Sequence, residues 1–217
     1  LLCELVKIPN IYRIRLSSIE INEVTPKIID LYKNNKIMAR HLHVPLQSGS
    51  NKILKLMNRR YNKEEFMKMI DKLREIEDIS LTTDLIVGFP NETDDDFEET
   101  MDTLKKIHFT KIHTFPYSRR RGTVADKMDG HISGDIKKKR VHEVIELSNK
   151  YENEYYKSKI SKVYEGVVER HNNGLVVVHT SNFIPVIIDD NDNIENNSIV
   201  NVKIERVDGL NVYGRVV

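Results

Sequence analysis

The sequence predicts two units of different class: an α/β unit built on a parallel sheet, then a small all-β barrel. Three observations predict them. Over roughly the first 117 residues, a short β-branched run is followed by a polar loop and then by an amphipathic helix, several times over, the signature of a parallel sheet. A long polar helix comes next. Beyond it, five short β runs are separated by Asn, Asp and Gly turn residues, a pattern that suits a small closed barrel of the kind that binds oligonucleotides.

The runs of the first unit are RIRLSS (13–18), HLHVPL (41–46), LTTDLIVG (81–88) and KIHTFPY (111–117). Each ends in a polar loop, so the C-terminal strand ends form a polar rim, where parallel α/β folds bind ligands. The helix starts between them are well marked. Thr25 and Pro26 read as cap and first helical residue, Asn62 with Glu65 as a capping box, and Thr93 as the cap before an acidic first turn at 94–96. Phe66, Met69, Ile70, Leu73 and Ile76 recur at three and four residues, as do Phe97, Met101 and Leu104, so these helices each lay one apolar stripe on the sheet. The polar helix covers about 133–159, with Val141, Ile145, Ser148 and Tyr155 along one side. The β runs that follow are 162–169, 174–181, 183–189, 198–207 and 210–217; Asn173-Gly174 suits a type I′ hairpin, 191–193 an Asn/Asp turn and Asp208-Gly209 another. The expected division is 1–156 and 157–217.

Composition narrows the class. At 217 residues, 39% hydrophobic and 31% charged, the chain can bury a full core, and neither disorder nor a fibre is indicated. With no membrane-length apolar run and no signal-peptide pattern at its start, it reads as cytoplasmic, with no membrane partner. The lone Cys3 excludes an intramolecular disulfide, and one thiol cannot hold an iron–sulfur cluster. The opening Leu-Leu-Cys reads as the middle of a helix, and the chain as a fragment of a longer one. A net charge of +1 neither demands nor forbids a nucleic-acid partner. Residues 157–217 hold seven Lys and Arg against eight Asp and Glu, weak electrostatics for a phosphate binder.

Four stretches carry chemistry. In RIRLSSIE, Ser17, Ser18 and Glu20 follow a strand end, where they can bond a ribose or an ammonium group or, equally, satisfy the turn and pair with a loop Arg. In HLHVPLQSGS, His41 and His43 face one side of a strand; two histidines permit metal ligation, but without a third ligand a hydrogen-bonded pair in a polar interior is favoured, so no metal site is expected. Gln47 and Ser48 lie past the strand end, and Gly49 leaves room for a ligand to approach the backbone. In TDLIVGFPNET, Asp84 sits within an apolar strand and needs a polar ligand or an Arg partner. Ile86, Val87, Gly88 and Phe89 suit an apolar wall for an adenine ring, or are apolar because a parallel strand is buried on both faces. Arg119–Arg121 suit a phosphate or carboxylate, with a solvated basic turn as the plain alternative. Lys137 to Arg140 read as an exposed helix face.

Taken in order, RIRLSSIE, HLHVPLQSGSNKILKLMNRRY, TTDLIVGFPNET with DFEET, KIHTFPYSRRRGTVADKM and the long helix closely resemble the radical S-adenosylmethionine (SAM) methylthiotransferases that modify tRNA, and the β-barrel is similar to that family's TRAM domain, an RNA-binding barrel resembling the OB fold. The resemblance covers nearly the whole chain. It implies the last four of the six strands of a radical SAM (β/α) barrel, tRNA and SAM as partners with no DNA, and two 4Fe-4S clusters in the parent enzyme. The LSSIE strand end resembles the branch that acts on N6-threonylcarbamoyladenosine beside the anticodon; isopentenyladenosine in tRNA is the alternative substrate. By motif, Glu20, Gln47 and Ser48 are expected near the methionine and ribose of the cofactor, and Ile86 and Gly88 near its adenine. Arg59, Asp84, Arg120, Gly122 and Thr123 match rim positions that carry no assigned role, and no catalytic residue is assignable. The family's cluster cysteines, spaced CxxxCxxC, are absent from these residues, so the chain by itself is expected to be inactive. A non-catalytic RNA-binding module and a different radical SAM enzyme, porphyrin oxidase-like or cobalamin-dependent, are the rivals; the appended β-domain speaks against the second.

Overall fold

The computed structural model describes residues 1–170, 176–189 and 194–217; the expected turns at Asn173-Gly174 and 191–193 lie outside them. In chain order the elements are α1 (Leu2–Leu5), α2 (Pro26–Asn34), β1 (His41–His43), α3 (Asn51–Leu56), α4 (Lys63–Leu73), β2 (Ser80–Val87), α5 (Asp94–Ile107), β3 (Lys111–Pro116), α6 (Gly134–Lys157), β4 (Val163–Arg170), β5 (Val176–Thr180), β6 (Pro185–Ile188), β7 (Ile199–Asp208) and β8 (Asn211–Val216).

The first unit is a parallel sheet in the order β1-β2-β3, with His43 opposite Thr82 and Asp84 opposite His113. The expected first strand at 13–18 is extended but forms only an isolated bridge, Ile14 with Met38. Its amides reach the next segment at Ile14 N to Ile37 O (2.8 Å) and again at Ile19 N to His43 O (3.1 Å), so it runs beside β1 without an unbroken ladder. The helix caps fall where the sequence places them: Thr25 accepts from Ile28 N, and both Asn62/Glu65 and Thr93/Asp96 close as capping boxes.

One face of the sheet is apolar and one is polar, because side chains alternate along a strand. Leu42, Leu81, Leu85, Val87 and Ile112 point outward into the core, with Phe66, Ile70, Leu73, Leu104 and Ile107 from α4 and α5. The opposite face presents His41, His43, Thr82, Asp84, Lys111 and His113 to a cavity of about 520 Å³. Helix α6 is tied to β3, the Ser148 hydroxyl accepting from Ile112 N at 2.9 Å. Residues 137–140 are not the uniformly exposed face expected of them: Lys138 and Lys139 are exposed, but Arg140 is only 4% exposed because it reaches back to a carboxylate under the sheet rim.

The second unit is a closed barrel in the order β4-β5-β6-β8-β7, with β4 closing on β7. All neighbouring pairs are antiparallel except β6-β8. Val168, Val178, Val186, Val202, Ile204 and Val212 fill it. Gly166 and Gly214 are required by close approach, since a Cβ on either would fall on the neighbouring strand. The barrel seats against the N-terminal ends of the parallel strands. Asp78, in the loop before β2, accepts from Lys159 Nζ and from Asn182 Nδ2 (2.9 Å); Arg40 N donates to Ser181 O (2.7 Å), and Arg13 pairs with Glu165 (2.7 Å). The Phe183 ring lies 4.9 Å from that of His41 and 5.4 Å from that of His179, with the Arg15 guanidinium 4.3 Å above it. The β-barrel thus forms the floor of the polar cavity.

Candidate functional site

The rim is built by an interruption in β1. Pro45 has no N–H to give the ladder, and Leu46 N donates to the Thr83 hydroxyl at 2.8 Å. Pairing resumes one residue on, with Gln47 N to Asp84 O and Ile86 N to Gln47 O, both 2.9 Å. This holds Gln47 at φ 65°, a conformation that costs a non-glycine residue about 1–2 kcal/mol. Its half-buried side-chain amide makes no hydrogen bond within the described residues. Glu20 comes to the same end of β1: Arg59 donates to its carboxylate at 2.7 Å, and Tyr61, which shares the field of that pair, donates to Pro45 O and Leu46 O.

The other expected site residues divide. Ser48 is wholly buried behind the rim, its hydroxyl accepting from Ser50 N (3.2 Å) and 3.4 Å from that of Thr100. Gly49 makes room for a helix and not for a ligand, since a Cβ there would sit 2.7 Å from Thr100 Cα and 2.8 Å from Thr103 Cβ of α5. Ile86 lies half-buried on the polar-face side, whereas Val87 and Phe89 are buried, so the apolar run is not one flat wall. Gly88, at φ 73°, turns the strand under Lys137 of α6, whose side chain occupies the place of a Cβ. Its N–H donates to Glu92. Glu92 is 2% exposed and also accepts from Arg140 (2.7 Å), and Arg140 continues to Asp94 (2.8 Å). Burial, opposed by Gly88 N–H and Arg140, raises the Glu92 pKa. Arg120, Gly122 and Thr123 lie exposed in the loop after β3, where the Thr123 hydroxyl donates to Arg120 O at 2.8 Å.

Asp84 does have a partner, and it is a histidine. His43 Nε2 lies 3.3 Å from its carboxylate, His43 Nδ1 lies 3.0 Å from the Thr82 hydroxyl, and that hydroxyl lies 3.1 Å from His41 Nε2. With His43 neutral the directions are fixed: His41 Nε2–H donates to Thr82, Thr82 O–H to His43 Nδ1, and His43 Nε2–H to Asp84. The far end, His41 Nδ1, is buried without a partner. Burial, helped by Arg15 and the neighbouring histidines, lowers the His41 pKa to about 4, so its ring is neutral near pH 7. His113, 5.7 Å from His43 ring to ring, is also lowered by burial and by His43. Sequence reading placed the two histidines together but missed Thr82 and His113, which only the strand register brings beside them.

The site sits in a parallel α/β unit whose sheet has one polar face and polar loops at its C-terminal strand ends. Residues 1–104 match the radical SAM superfamily. Coproporphyrinogen III oxidase from Escherichia coli shares the fold, with a TM-score of 0.55 over 78% of this chain and 46% of that one, at 16% identity. The tRNA-2-methylthio-N(6)-dimethylallyladenosine synthase of Thermodesulfovibrio yellowstonii is 40% identical over 220 residues, all of this chain and 50% of that protein. The threonylcarbamoyladenosine tRNA methylthiotransferase of Thermotoga maritima is 43% identical over 157 residues, 72% of this chain and 36% of that protein. Over most or all of its length the chain is therefore similar to radical SAM tRNA methylthiotransferases. It spans about half the length, or less, of these curated relatives.

That family implies SAM and iron–sulfur chemistry. An iron–sulfur cluster does not fit the residues present: Cys3 is the one thiol in the sequence, and no group of three His, Cys, Asp or Glu among the described residues is placed to hold a metal. At the rim the Gln47 amide makes no hydrogen bond among the described residues and the half-exposed Glu20 carboxylate is held by Arg59, polar groups compatible with part of a SAM molecule. No helix among the described residues is long and apolar enough to cross a membrane.

Proposed function

We propose that this chain is the C-terminal part of a radical SAM enzyme that methylthiolates N6-threonylcarbamoyladenosine in tRNA, and that residues 1–156 and 157–217 act as its partial catalytic unit and its RNA-binding barrel. When bound, SAM and the clusters of the parent enzyme supply the radical and methylthio chemistry. Glu20 and Gln47 bind the polar end of SAM, and Ile86 lies under its adenine. Ser48 and Gly88 contribute by positioning the rim from behind. The cluster ligands lie outside these 217 residues, so the chain alone neither assembles a cluster nor turns over.

The observation that carries the substrate reading is the polarity of the lumen. Arg15, His43, Asp84, Lys111 and His113 line it, a wall that suits a substituent bearing a carboxylate and a hydroxyl, as threonylcarbamoyl does, over an all-carbon isopentenyl group. Relatives of both substrate types match at similar identity, so identity alone does not choose. The test is nucleoside mass spectrometry on tRNA from cells lacking both methylthio modifications and supplied with the whole gene. Gain of the methylthio mark on threonylcarbamoyladenosine is expected. Gain on isopentenyladenosine alone overturns the substrate, and gain on neither overturns the activity. Cells given only the 217-residue chain gain neither mark, and the purified chain holds no stoichiometric iron after reconstitution.

A further inference from the structure

We infer that the cationic segment 119–140 supplies most of the phosphate contacts by which this chain holds RNA, the β-barrel engaging it mainly by shape and hydrogen bonds; this rests on the reading above that RNA is its substrate. The segment carries eight Lys and Arg against three Asp, whereas the barrel unit from 157 onward is slightly acidic. Three of the barrel unit's seven cations are engaged by other side chains. Lys159 is buried against Asp78, Arg206 lies 3.8 Å from Asp208 and over the Tyr213 ring, and Arg215 pairs with Glu205 at 2.8 Å.

The segment itself is arranged differently. Arg119 and Arg140 are used internally: Arg119 clamps Asp126 through its side chain (3.0 Å) and its backbone carbonyl (2.8 Å), and Arg140 holds Glu92. Thr123 accepts from Asp126 N at 3.2 Å while donating to Arg120 O. These bonds hold the loop in shape while Arg120, Arg121, Lys127 and Lys138 stay exposed with no carboxylate partner among the described residues. Val124, 77% exposed beside them, offers an apolar contact to an unstacked base. A groove of about 490 Å³ runs between this loop and the start of α6, bordered by Ser118, Arg119, Lys137 and Lys138.

Its place in the fold gives the segment a purpose. Asn91, just past the end of β2, donates to Gly130 O (2.9 Å) through its backbone and to Asp129 O (3.1 Å) through its side chain. Lys137 covers Gly88 and donates to Tyr117 O at 3.1 Å. The free cations therefore crown the rim beside Ile86 and Gly88, while the barrel lies at the opposite ends of the strands. An RNA held by its phosphates here presents a base at the mouth of the lumen.

The test is the salt dependence of binding of a labelled anticodon stem-loop RNA to the 217-residue chain, between about 50 and 200 mM KCl. Each phosphate contact contributes about 0.7–0.9 to the slope of log K against log salt. The R120Q/R121Q variant is expected to lower that slope by about 1.4–1.8 and to weaken binding about 15- to 30-fold near 0.15 M. The K203Q/R206Q variant in the barrel leaves the slope unchanged, and circular dichroism shows both variants folded. An unchanged slope in R120Q/R121Q, a slope lost in K203Q/R206Q, or no RNA binding at low salt overturns the inference. A steep, arginine-dependent slope with equal affinity for an unrelated RNA upholds it while removing support from the tRNA reading, so the two fail separately.

Discussion

Replacing Arg140 by Met tests the buried link between α6 and the rim. Arg140 and Glu92 have side chains 5% and 1% exposed and meet at 2.7 Å, so the substitution leaves a carboxylate in the interior with Gly88 N–H as its remaining donor. Removing one partner of such a pair costs about 3–5 kcal/mol. The lost bond to Asp94 adds little, since that side chain is 91% exposed, while Met also lacks the guanidinium that lies 5.2 Å from the Phe97 ring centroid. For a unit of this size the loss corresponds to a fall of about 6–20 °C in Tm. The pH dependence has a definite sign. Burial already raises the Glu92 pKa, and loss of the guanidinium raises it further; a carboxyl raised in the folded state stabilises it below the unfolded value and loses that contribution as pH rises through the folded value. The deficit of R140M relative to the parent is therefore full at neutral pH and shrinks toward pH 4.5. Urea denaturation followed by far-UV circular dichroism at several pH values measures it. A deficit below about 1 kcal/mol, or one that does not shrink on acidification, refutes the reasoning.

Thr82→Val removes the hydroxyl between two ring nitrogens and leaves His41 Nε2–H buried without an acceptor, at a cost of about 1–3 kcal/mol; nitrogen-15 NMR is expected to report a changed tautomer at His43. His41, held near pKa 4 when folded and near 6.5 when unfolded, contributes stability that is present above pH 6.5 and is lost as pH falls toward 4, about 3 kcal/mol in all. A His41→Asn variant, assayed by the same denaturation, should lack that acid slope. Gly49→Ala pushes a methyl into the backbone of α5 and is expected to cost about 1–3 kcal/mol of stability.

Much of this was legible in the sequence because local chemistry decides it. Caps at Thr25, Asn62 and Thr93 sit where Thr-Pro and Asn-x-x-Glu place them, and the apolar stripes of α4 and α5 bury as their spacing demands. What was not legible depends on which strands become neighbours. Asp84 is visible as a carboxylate needing a partner, but nothing local distinguishes an Arg from a His on the neighbouring strand. Gly49 and Ser48 stand in a motif full of ligand-friendly residue types, and only the approach of Thr100 and Thr103 shows that small size there serves packing. Arg140 sits in a run of four cations, yet it alone reaches the buried Glu92. The edge strand at 13–18 has strand composition but lacks an unbroken ladder, and composition is blind to that difference.

The strand-end rim around Gln47 and Glu20 is proposed to receive a nucleoside-bearing sulfonium cofactor. Titrating the chain with S-adenosylhomocysteine and following backbone amide shifts by NMR tests it most directly. Saturable shifts confined to residues 17–20, 47 and 84–88 are predicted, diminished by Gln47→Ala. Shifts centred on the β-barrel, or none at millimolar ligand, contradict it.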